Sequence, residues 1–155
     1  MLNVVFVEPE IPFNTGALVR TCGLTNSKLF IIKPMGFELT DAKVKRAGLD
    51  YWELSNLELF DSFFDLYNLY KDNHNFFFAT TKSNKRYTDV KYNDGDFLVF
   101  GKETKGLPKE ILELNPDNNI RIPMLKDYGR SLNLANSANI ILFEALRQIN
   151  FLGLE

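Results

Sequence analysis

The most informative part of this sequence runs from Ile120 to Asn136 and reads IRIPMLKDYGRSLNLAN. Its first residues, Ile120–Ile122, form a short apolar run that predicts a strand, and Pro123 ends the run because proline cannot donate a hydrogen bond to a sheet. A polar loop follows, and the apolar segment Leu134–Ile149 then predicts the last helix. Polar loops between a buried strand and a buried helix are where α/β proteins bind ligands, so this stretch predicts a ligand site.

Two polar residues of this loop, Ser131 and Asn133, stand just before the last helix. Hydroxyl and amide side chains there can accept hydrogen bonds from the free N–H groups of a helix start, so capping alone would explain them. Two further polar loops, Pro12–Arg20 and Phe100–Pro108, also come after predicted strands. Their similar character favours a shared functional role for the three loops.

Strand-like and helix-like segments alternate along the chain, which predicts an α/β fold with a mostly parallel sheet and flanking helices. The length of 155 residues suits one domain, so we expect a single domain over 1–155. The predicted strands are Val4–Val7, Leu29–Ile32, a short strand within the ambiguous segment Tyr51–Leu59, Asn75–Ala79, Phe97–Phe100 and Ile120–Ile122. The predicted helices are Thr15–Gly23 with Asn14 as its cap, Asp41–Ala47 with Thr40 as its cap, a helix that Asp61 caps, a short helix that Pro108 starts, and Leu134–Ile149.

Composition excludes several classes of protein. One cysteine, Cys22, and one histidine, His74, cannot form a disulfide or a zinc site within this chain. No segment approaches the ~18 consecutive apolar residues of a membrane span, and the first residues lack the features of a signal peptide. We therefore expect a cytoplasmic protein with no membrane association.

The formal net charge of −2 gives no general attraction to nucleic acid, so any RNA binding depends on local basic patches. Any single lysine in such a patch is more often a solvated surface charge than an RNA contact. The candidate patches are Lys43, Lys45 and Arg46; Lys82, Lys85 and Arg86; and Lys102, Lys105 and Arg130.

The loop Pro12–Arg20 places Asn14 at the predicted helix start and Arg20 one turn beyond Gly16. A glycine inside a helix costs ~1 kcal/mol relative to alanine and permits close approach of another group. An arginine and a glycine near a helix N-terminus suit a phosphate, although a helix cap and a surface arginine would give the same pattern.

The loop Phe100–Pro108 contains Gly101 and Gly106, which permit positive φ angles and the close approach of a ligand. Glu103 lies between two lysines on this loop, and the alternative interpretation is a solvated turn. The chain contains neither Gly-x-Gly-x-x-Gly nor Gly-x-x-x-x-Gly-Lys-Ser/Thr, so the signatures of a Rossmann site and of a P-loop are absent.

In this order the three loops resemble the SPOUT, or α/β-knot, RNA methyltransferases. Three further stretches, 8–16, 47–51 and 144–148, are similar to the minimal YibK/TrmL-like subgroup, the tRNA (cytidine(34)/uridine(34)-2′-O)-methyltransferases. The matching motifs of the loops are Asn14-Thr15-Gly16 with Arg20, Phe100-Gly101-x-Glu103-x-x-Gly106-Leu107, and Ile122-Pro123-Met124 leading to Arg130-Ser131-Leu132-Asn133-Leu134.

The resemblance implies a fold, a reaction and a partner. It implies a C-terminal deep trefoil knot and transfer of a methyl group from S-adenosyl-L-methionine to the 2′-hydroxyl of the wobble nucleotide in a tRNA anticodon loop. S-adenosyl-L-homocysteine would be the product, and no metal would take part. It also implies a homodimer in which Arg20 of one subunit faces the cofactor of the other. The alternatives are a 2′-O-methyltransferase for another tRNA or rRNA nucleotide, and a non-catalytic RNA-binding dimer.

For the reaction that the resemblance implies, we hypothesise roles for particular residues. Arg20 would hold a phosphate and fix the 2′-oxygen, and Glu103 would fix the loop or bind Arg20. The other catalytic candidates would orient the ribose and the loop; they are Asn14, Ser131 and Asn133. The implied cofactor contacts are Ala79, Thr80, Gly101, Ile122, Met124, Ser131 and Leu132.

The last predicted helix contains the four consecutive apolar residues Ile140 to Phe143, which go all the way round a helix. A helix on the outside of a monomer keeps one polar face, so this pattern predicts a helix that is covered on both sides. The simplest cover is a second copy of the chain, and the alternative is a central position within one domain.

Overall fold

The computed structural model describes residues 1–39 and 56–155, and within these ranges six parallel strands form one sheet. The order of the strands across the sheet is β3-β2-β1-β5-β4-β6. The strands are β1 (Asn3–Val7), β2 (Lys28–Ile32), β3 (Asn56–Phe60), β4 (Phe76–Ala79), β5 (Phe97–Phe100) and β6 (Asn119–Ile120).

Four α-helices lie in the described ranges, together with one turn of 3₁₀ helix at Pro116–Asn118. The helices are α1 (Pro12–Leu24), α2 (Phe63–Tyr70), α3 (Lys109–Leu112) and α4 (Leu134–Gln148). The predicted α/β class with a mostly parallel sheet and flanking helices is confirmed. The trefoil knot that the resemblance implies stays a prediction.

The central strand β1 is buried on both faces, as strands of parallel sheets are. Val4 and Phe6 point into the core that the sheet shares with α1 and α4. Val5 and Val7 belong to the opposite core, which includes Phe63 of α2. The sheet is therefore sandwiched between two apolar layers, and its loops emerge only at its edges.

The carboxyl edge of this sheet collects the three polar loops of the sequence. The strand order changes direction at β1, because β2 lies on one side of it and β5 on the other. The loops that follow β1 and β5 therefore leave the same edge side by side. In open α/β sheets this point is where ligands bind.

The start of α1 differs from the prediction. The helix begins at Pro12, Ile11 is its N-cap residue, and no side chain caps it. Proline is well suited to the first turn, because its fixed φ is helical and its missing N–H has no partner to lose there. Asn14 therefore lies inside the helix, and the prediction that it is a cap is wrong.

Two other boundaries also need correction. Ser62, not Asp61, caps α2, and its hydroxyl accepts a hydrogen bond from the N–H of Phe64 at 3.2 Å. The last strand is β6 and ends at Ile120, since beyond it Arg121 forms only an isolated bridge to Arg86. The predicted helix Asp41–Ala47 and its cap Thr40 lie outside the described residues.

Candidate active site

A cavity of about 440 Å³ opens at the carboxyl edge of the sheet, and all three polar loops contribute to its walls. The first loop supplies Asn14, and the second supplies Gly101 and Glu103. The remaining predicted site residues that line it are Ala79, Thr80, Ile122, Met124, Ser131, Leu132 and Asn133. Residues far apart in the sequence are thus brought to one place, as the resemblance implies.

The carboxylate of Glu103 ties the second loop to the first. Its oxygens accept hydrogen bonds from the backbone N–H of Glu10 at 2.8 Å, the N–H of Ile11 at 3.0 Å and the side-chain amide of Asn14 at 3.0 Å. A partly buried carboxylate with three donors is a strong anchor, because hydrogen bonds to charged groups contribute ~1.5–3 kcal/mol. Of the two roles named for Glu103, this geometry favours fixing the loop.

A second set of hydrogen bonds also joins these two loops, with the acceptor on the stretch just before the first loop. The carboxylate of Glu10 accepts hydrogen bonds from the hydroxyl of Thr104 at 2.7 Å and from its N–H at 3.1 Å. These hydrogen bonds lower the pKa of Glu10. Lys102 pairs with Glu8 at 3.1 Å, so the two loops are joined in both directions.

Asn14 connects these two loops to the third. Its buried side chain donates to Glu103 through Nδ2, and its Oδ1 accepts a hydrogen bond from Nδ2 of Asn133 at 2.9 Å. Asn133 is also the N-cap of α4, since its Oδ1 accepts from the N–H of Asn136 at 3.1 Å. Asn133 therefore acts both as a cap and as a site residue, and its capping role does not exclude a functional one.

Gly101 marks the closest approach within the second loop. The backbone folds back on itself, and the N–H of Gly106 donates to the carbonyl of Lys102 at 2.9 Å. A Cβ atom on Gly101 would lie 2.0 Å from the carbonyl carbon of Gly106. Gly106 has a φ of 67°, a left-handed conformation that glycine adopts without strain.

The back wall of the cavity is formed where β4 and β6 end. The N–H of Thr80 donates to the carbonyl of Ile120 at 2.9 Å, and its hydroxyl accepts from the N–H of Lys82 at 3.2 Å. Ile122, Leu134 and Ile141 add apolar surface to the lining. The cavity wall therefore combines apolar side chains with polar groups, as small-molecule sites do.

Arg20 lies apart from this cavity. Its side chain is exposed on α1 and is not among the lining residues. The implied placement of Arg20 opposite the cofactor of another subunit stays a prediction.

Several cations of the predicted RNA-binding patches already have partners. Arg86 forms an ion pair with Asp89 at 3.0 Å, and its hydrogen bonds to that carboxylate raise the arginine pKa and lower that of Asp89. Lys85 donates to a backbone carbonyl, and Lys102 pairs with Glu8. The first patch, Lys43, Lys45 and Arg46, lies outside the described residues.

The sequence interpretation missed the pairing of Glu10 with Thr104 and the contributions of Thr81 and Lys82 to the cavity wall. The only sequence signal for Glu10 is its place in the Glu-Pro-Glu stretch before the first loop. Among residues 1–39 and 56–155, no group of His, Cys, Asp and Glu side chains is arranged to hold a metal ion. No helix in these ranges combines the length and apolar character that a bilayer crossing requires.

Comparison with known families identifies this arrangement. The model of the SpoU rRNA methylase family matches residues 1–143. The chain belongs to the SpoU rRNA methylase family. Membership confirms the predicted relationship to the SPOUT RNA methyltransferases and the prediction of a methyltransferase enzyme.

Individual relatives of this SpoU methylase cover nearly the whole chain. A Bacillus subtilis protein, provisionally named a tRNA (cytidine(34)-2′-O)-methyltransferase, is 47% identical, with 99% of this chain and 97% of the relative aligned. A tRNA (cytidine(34)-2′-O)-methyltransferase of Methylovorus glucosotrophus is 42% identical, with 99% of both chains aligned. A solved structure described as giving insights into the 2-OH methylation of C/U34 on tRNA has a TM-score of 0.90 at 37% identity, with 97% of both chains covered.

Proposed function

We propose that this SpoU methylase transfers the methyl group of S-adenosyl-L-methionine to the 2′-hydroxyl of nucleotide 34 in tRNA. The observation that carries the proposal is the single cavity in which all seven implied cofactor contacts line the wall beside Asn14, Glu103 and Asn133. The names of full-length relatives at 42% and 47% identity support the choice of substrate. One domain over residues 1–155 and a cytoplasmic location complete the proposal.

The lining of the cavity fits a donor that is part apolar and part polar. Ile122, Leu134 and Ile141 offer apolar surface for a flat base, and the main chain near Gly101 comes close because that residue has no Cβ. S-adenosyl-L-methionine, when bound, supplies a methyl group that the positive sulfonium activates for transfer.

The chain's own residues have to hold the acceptor oxygen in line and lower the cost of losing its proton. The linked side chains of Glu103, Asn14 and Asn133 fix three loops in one geometry. Ser131, which lines the cavity, would orient the ribose from the third loop. In this proposal Arg20 acts as a phosphate clamp and an electrostatic partner and not as a base, because its planar fork of donors matches a phosphate.

A homodimer would complete the site, because Arg20 lies outside the cavity of its own chain. Two apolar side chains of α4, Ile140 and Phe143, remain 36% and 48% exposed. On the neighbouring helix α1, Phe13 is 65% exposed. A second copy packed on these helices would cover them and bring the partner's α1 toward the cavity.

The test measures methyl transfer and donor binding in one pair of variants. We expect purified protein to transfer labelled methyl from S-adenosyl-L-methionine to total tRNA. Arg20→Ala should lose at least ~100-fold of this activity, since an electrostatic contact of the transition state is removed, and should bind the donor with nearly unchanged affinity in calorimetry. Lys71→Ala removes an exposed cation before β4, at the opposite edge of the sheet, and should stay fully active.

Two outcomes would contradict this account. Loss of donor binding in Arg20→Ala would contradict the role of Arg20. Wild-type protein that binds both tRNA and donor but transfers no methyl group would favour the non-catalytic RNA-binding dimer.

A further inference from the structure

A second cavity, of about 460 Å³, adjoins the first at the carboxyl edge of the sheet. The two cavities share four lining residues, which are Thr81, Ile122, Met124 and Ser131. A ligand that fills the second cavity therefore lies directly beside a donor in the first. The proposed function gives no role to the residues that line only this second cavity.

Three cations line this second cavity, and its lining contains no acidic residue. They are Arg121, Lys126 and Arg130. Within residues 1–39 and 56–155, none of the three takes part in an ion pair or a side-chain hydrogen bond, whereas Arg86 and Lys102 nearby are both paired. The fields of like charges around one concave space add, so the three cations raise the local positive potential and favour an anion.

Arg121 is the most firmly positioned of the three cations. Its N–H donates to the carbonyl of Lys85 at 2.9 Å, and its carbonyl accepts from the N–H of Tyr87 at 2.8 Å. It is half-buried, whereas Lys126 and Arg130 are exposed on the loop that follows. A guanidinium presents a planar fork of N–H donors, and that fork matches two oxygens of a phosphate.

The reactants offer two anionic groups to this cavity, the carboxylate of the methyl donor and the phosphates of RNA. The methyl donor has one carboxylate but also an ammonium and a sulfonium, so it is a net cation, and three unpaired cations repel it. RNA carries a phosphate at every nucleotide. On the same loop Leu125 is 81% and Tyr128 is 73% exposed, and such side chains offer surface on which an unstacked base can pack.

We propose that this second cavity binds the RNA phosphate next to the methylated nucleotide, with Arg121 as its anchor. The inference rests on the proposed function, because it takes tRNA as the substrate. A phosphate held there fixes the register of the anticodon loop, and the ribose beside it is brought to the mouth of the donor cavity. Arg121 is thus a substrate-positioning residue that acts from a strand end.

The experiment compares Arg121→Gln with Lys71→Gln, which removes the same charge at the opposite edge of the sheet. We expect Arg121→Gln to weaken tRNA binding ~10-fold at fixed salt and to reduce the slope of log affinity against log salt by about 1, because one phosphate contact is lost. The methyl donor should bind with wild-type affinity in calorimetry, and KM for tRNA should rise more than kcat falls. Arg121→Lys should recover part of the affinity, since the charge returns without the fork.

Three results would overturn the inference. In the first, Arg121→Gln binds tRNA no more weakly than Lys71→Gln. In the second, it loses affinity for the methyl donor, which would assign the cavity to the donor's carboxylate. If Arg121→Gln fails to fold, Arg130→Gln tests the same cavity. The third result is that Arg130→Gln binds tRNA as tightly as the wild-type protein does. Failure of the proposed function is distinct, because it would appear as wild-type protein that transfers no methyl group to tRNA.

Discussion

At the scale of single residues, the site depends on side chains that hold loops together as much as on side chains that would touch substrate. Glu103 accepts hydrogen bonds from two backbone N–H groups and from Asn14, and Asn14 passes the connection to Asn133. None of these contacts is local, since Glu103 and Asn133 lie 89 and 119 residues from Asn14. These contacts matter because they fix the relative positions of the three loops that line the cavity.

Replacing Glu103 with glutamine should loosen this geometry. An amide keeps the size of the side chain but has only one acceptor oxygen, so one of the N–H donors would face an NH₂ group. We expect a loss of ~1–3 kcal/mol in the free energy of unfolding, measured by urea denaturation. We also expect weaker binding of S-adenosyl-L-methionine in calorimetry. Glu110→Gln, an exposed glutamate on α3, is the control. Wild-type values for both quantities in Glu103→Gln would contradict the role of Glu103 in holding the first and second loops together.

Gly101 tests the close packing of the second loop. A methyl group at this position would lie 2.0 Å from the carbonyl carbon of Gly106, and no side-chain rotation could relieve this contact, because a Cβ has a fixed direction and the Gly106 atom is backbone. Gly101→Ala should therefore lower the melting temperature by several degrees and abolish donor binding. Gly153→Ala is a suitable control, because its Cβ would meet nothing within 4 Å, although its φ of 79° adds modest strain. Donor binding at wild-type strength in Gly101→Ala would show that the loop can move freely.

At the scale of elements, α4 has two apolar sides and only one is covered in the described chain. Ile141, Leu142 and Ala145 are buried in the core beside the sheet. Ile140 and Phe143 face away from it and are 36% and 48% exposed. The sequence pattern predicted cover on both sides, and one half of that prediction is met within the chain.

The uncovered side of α4 leads to a prediction about assembly. A glutamate at Ile140 would place a charge in the proposed subunit interface, and its desolvation would oppose dimer formation. We expect wild-type protein to sediment as a dimer at low micromolar concentration and Ile140→Glu to sediment as a monomer. Leu69→Glu is the control, because Leu69 is 63% exposed on α2, which packs on the opposite face of the sheet. Sedimentation of wild-type protein and Ile140→Glu as the same species would contradict the interface.

At the scale of the whole molecule, the parallel sheet explains why three distant loops form one cavity. Strands β1, β4 and β5 all point the same way, so the loops after them meet at one edge. Alternating strand and helix patterns predicted this class of fold, and β5 and the start of α4 were predicted to the residue. The order of the strands follows from packing between distant segments, which no local pattern contains.

The roles of Asn14 and Arg121 could not be predicted from the sequence, for physical reasons that the structure identifies. Asn14 has the side chain of a good cap, so local propensity placed the helix start there, while Pro12 started the helix earlier and left Asn14 free to bridge two loops. The sequence pattern predicts that Arg121 is part of a strand, whereas β6 ends at Ile120 and Arg121 lines the second cavity. In both cases a tertiary contact, not a local preference, decides what the residue does.

The most direct test of the central claim is to locate the methyl group that the protein transfers. Unmodified tRNA substrates, incubated with the protein and labelled S-adenosyl-L-methionine, would be digested and analysed by mass spectrometry, beside an anticodon stem–loop with a 2′-deoxynucleotide at position 34. The account predicts one 2′-O-methyl group at position 34 and no transfer to the deoxy substrate. A methyl group on a base or at another position, or equal transfer to the deoxy substrate, would contradict it.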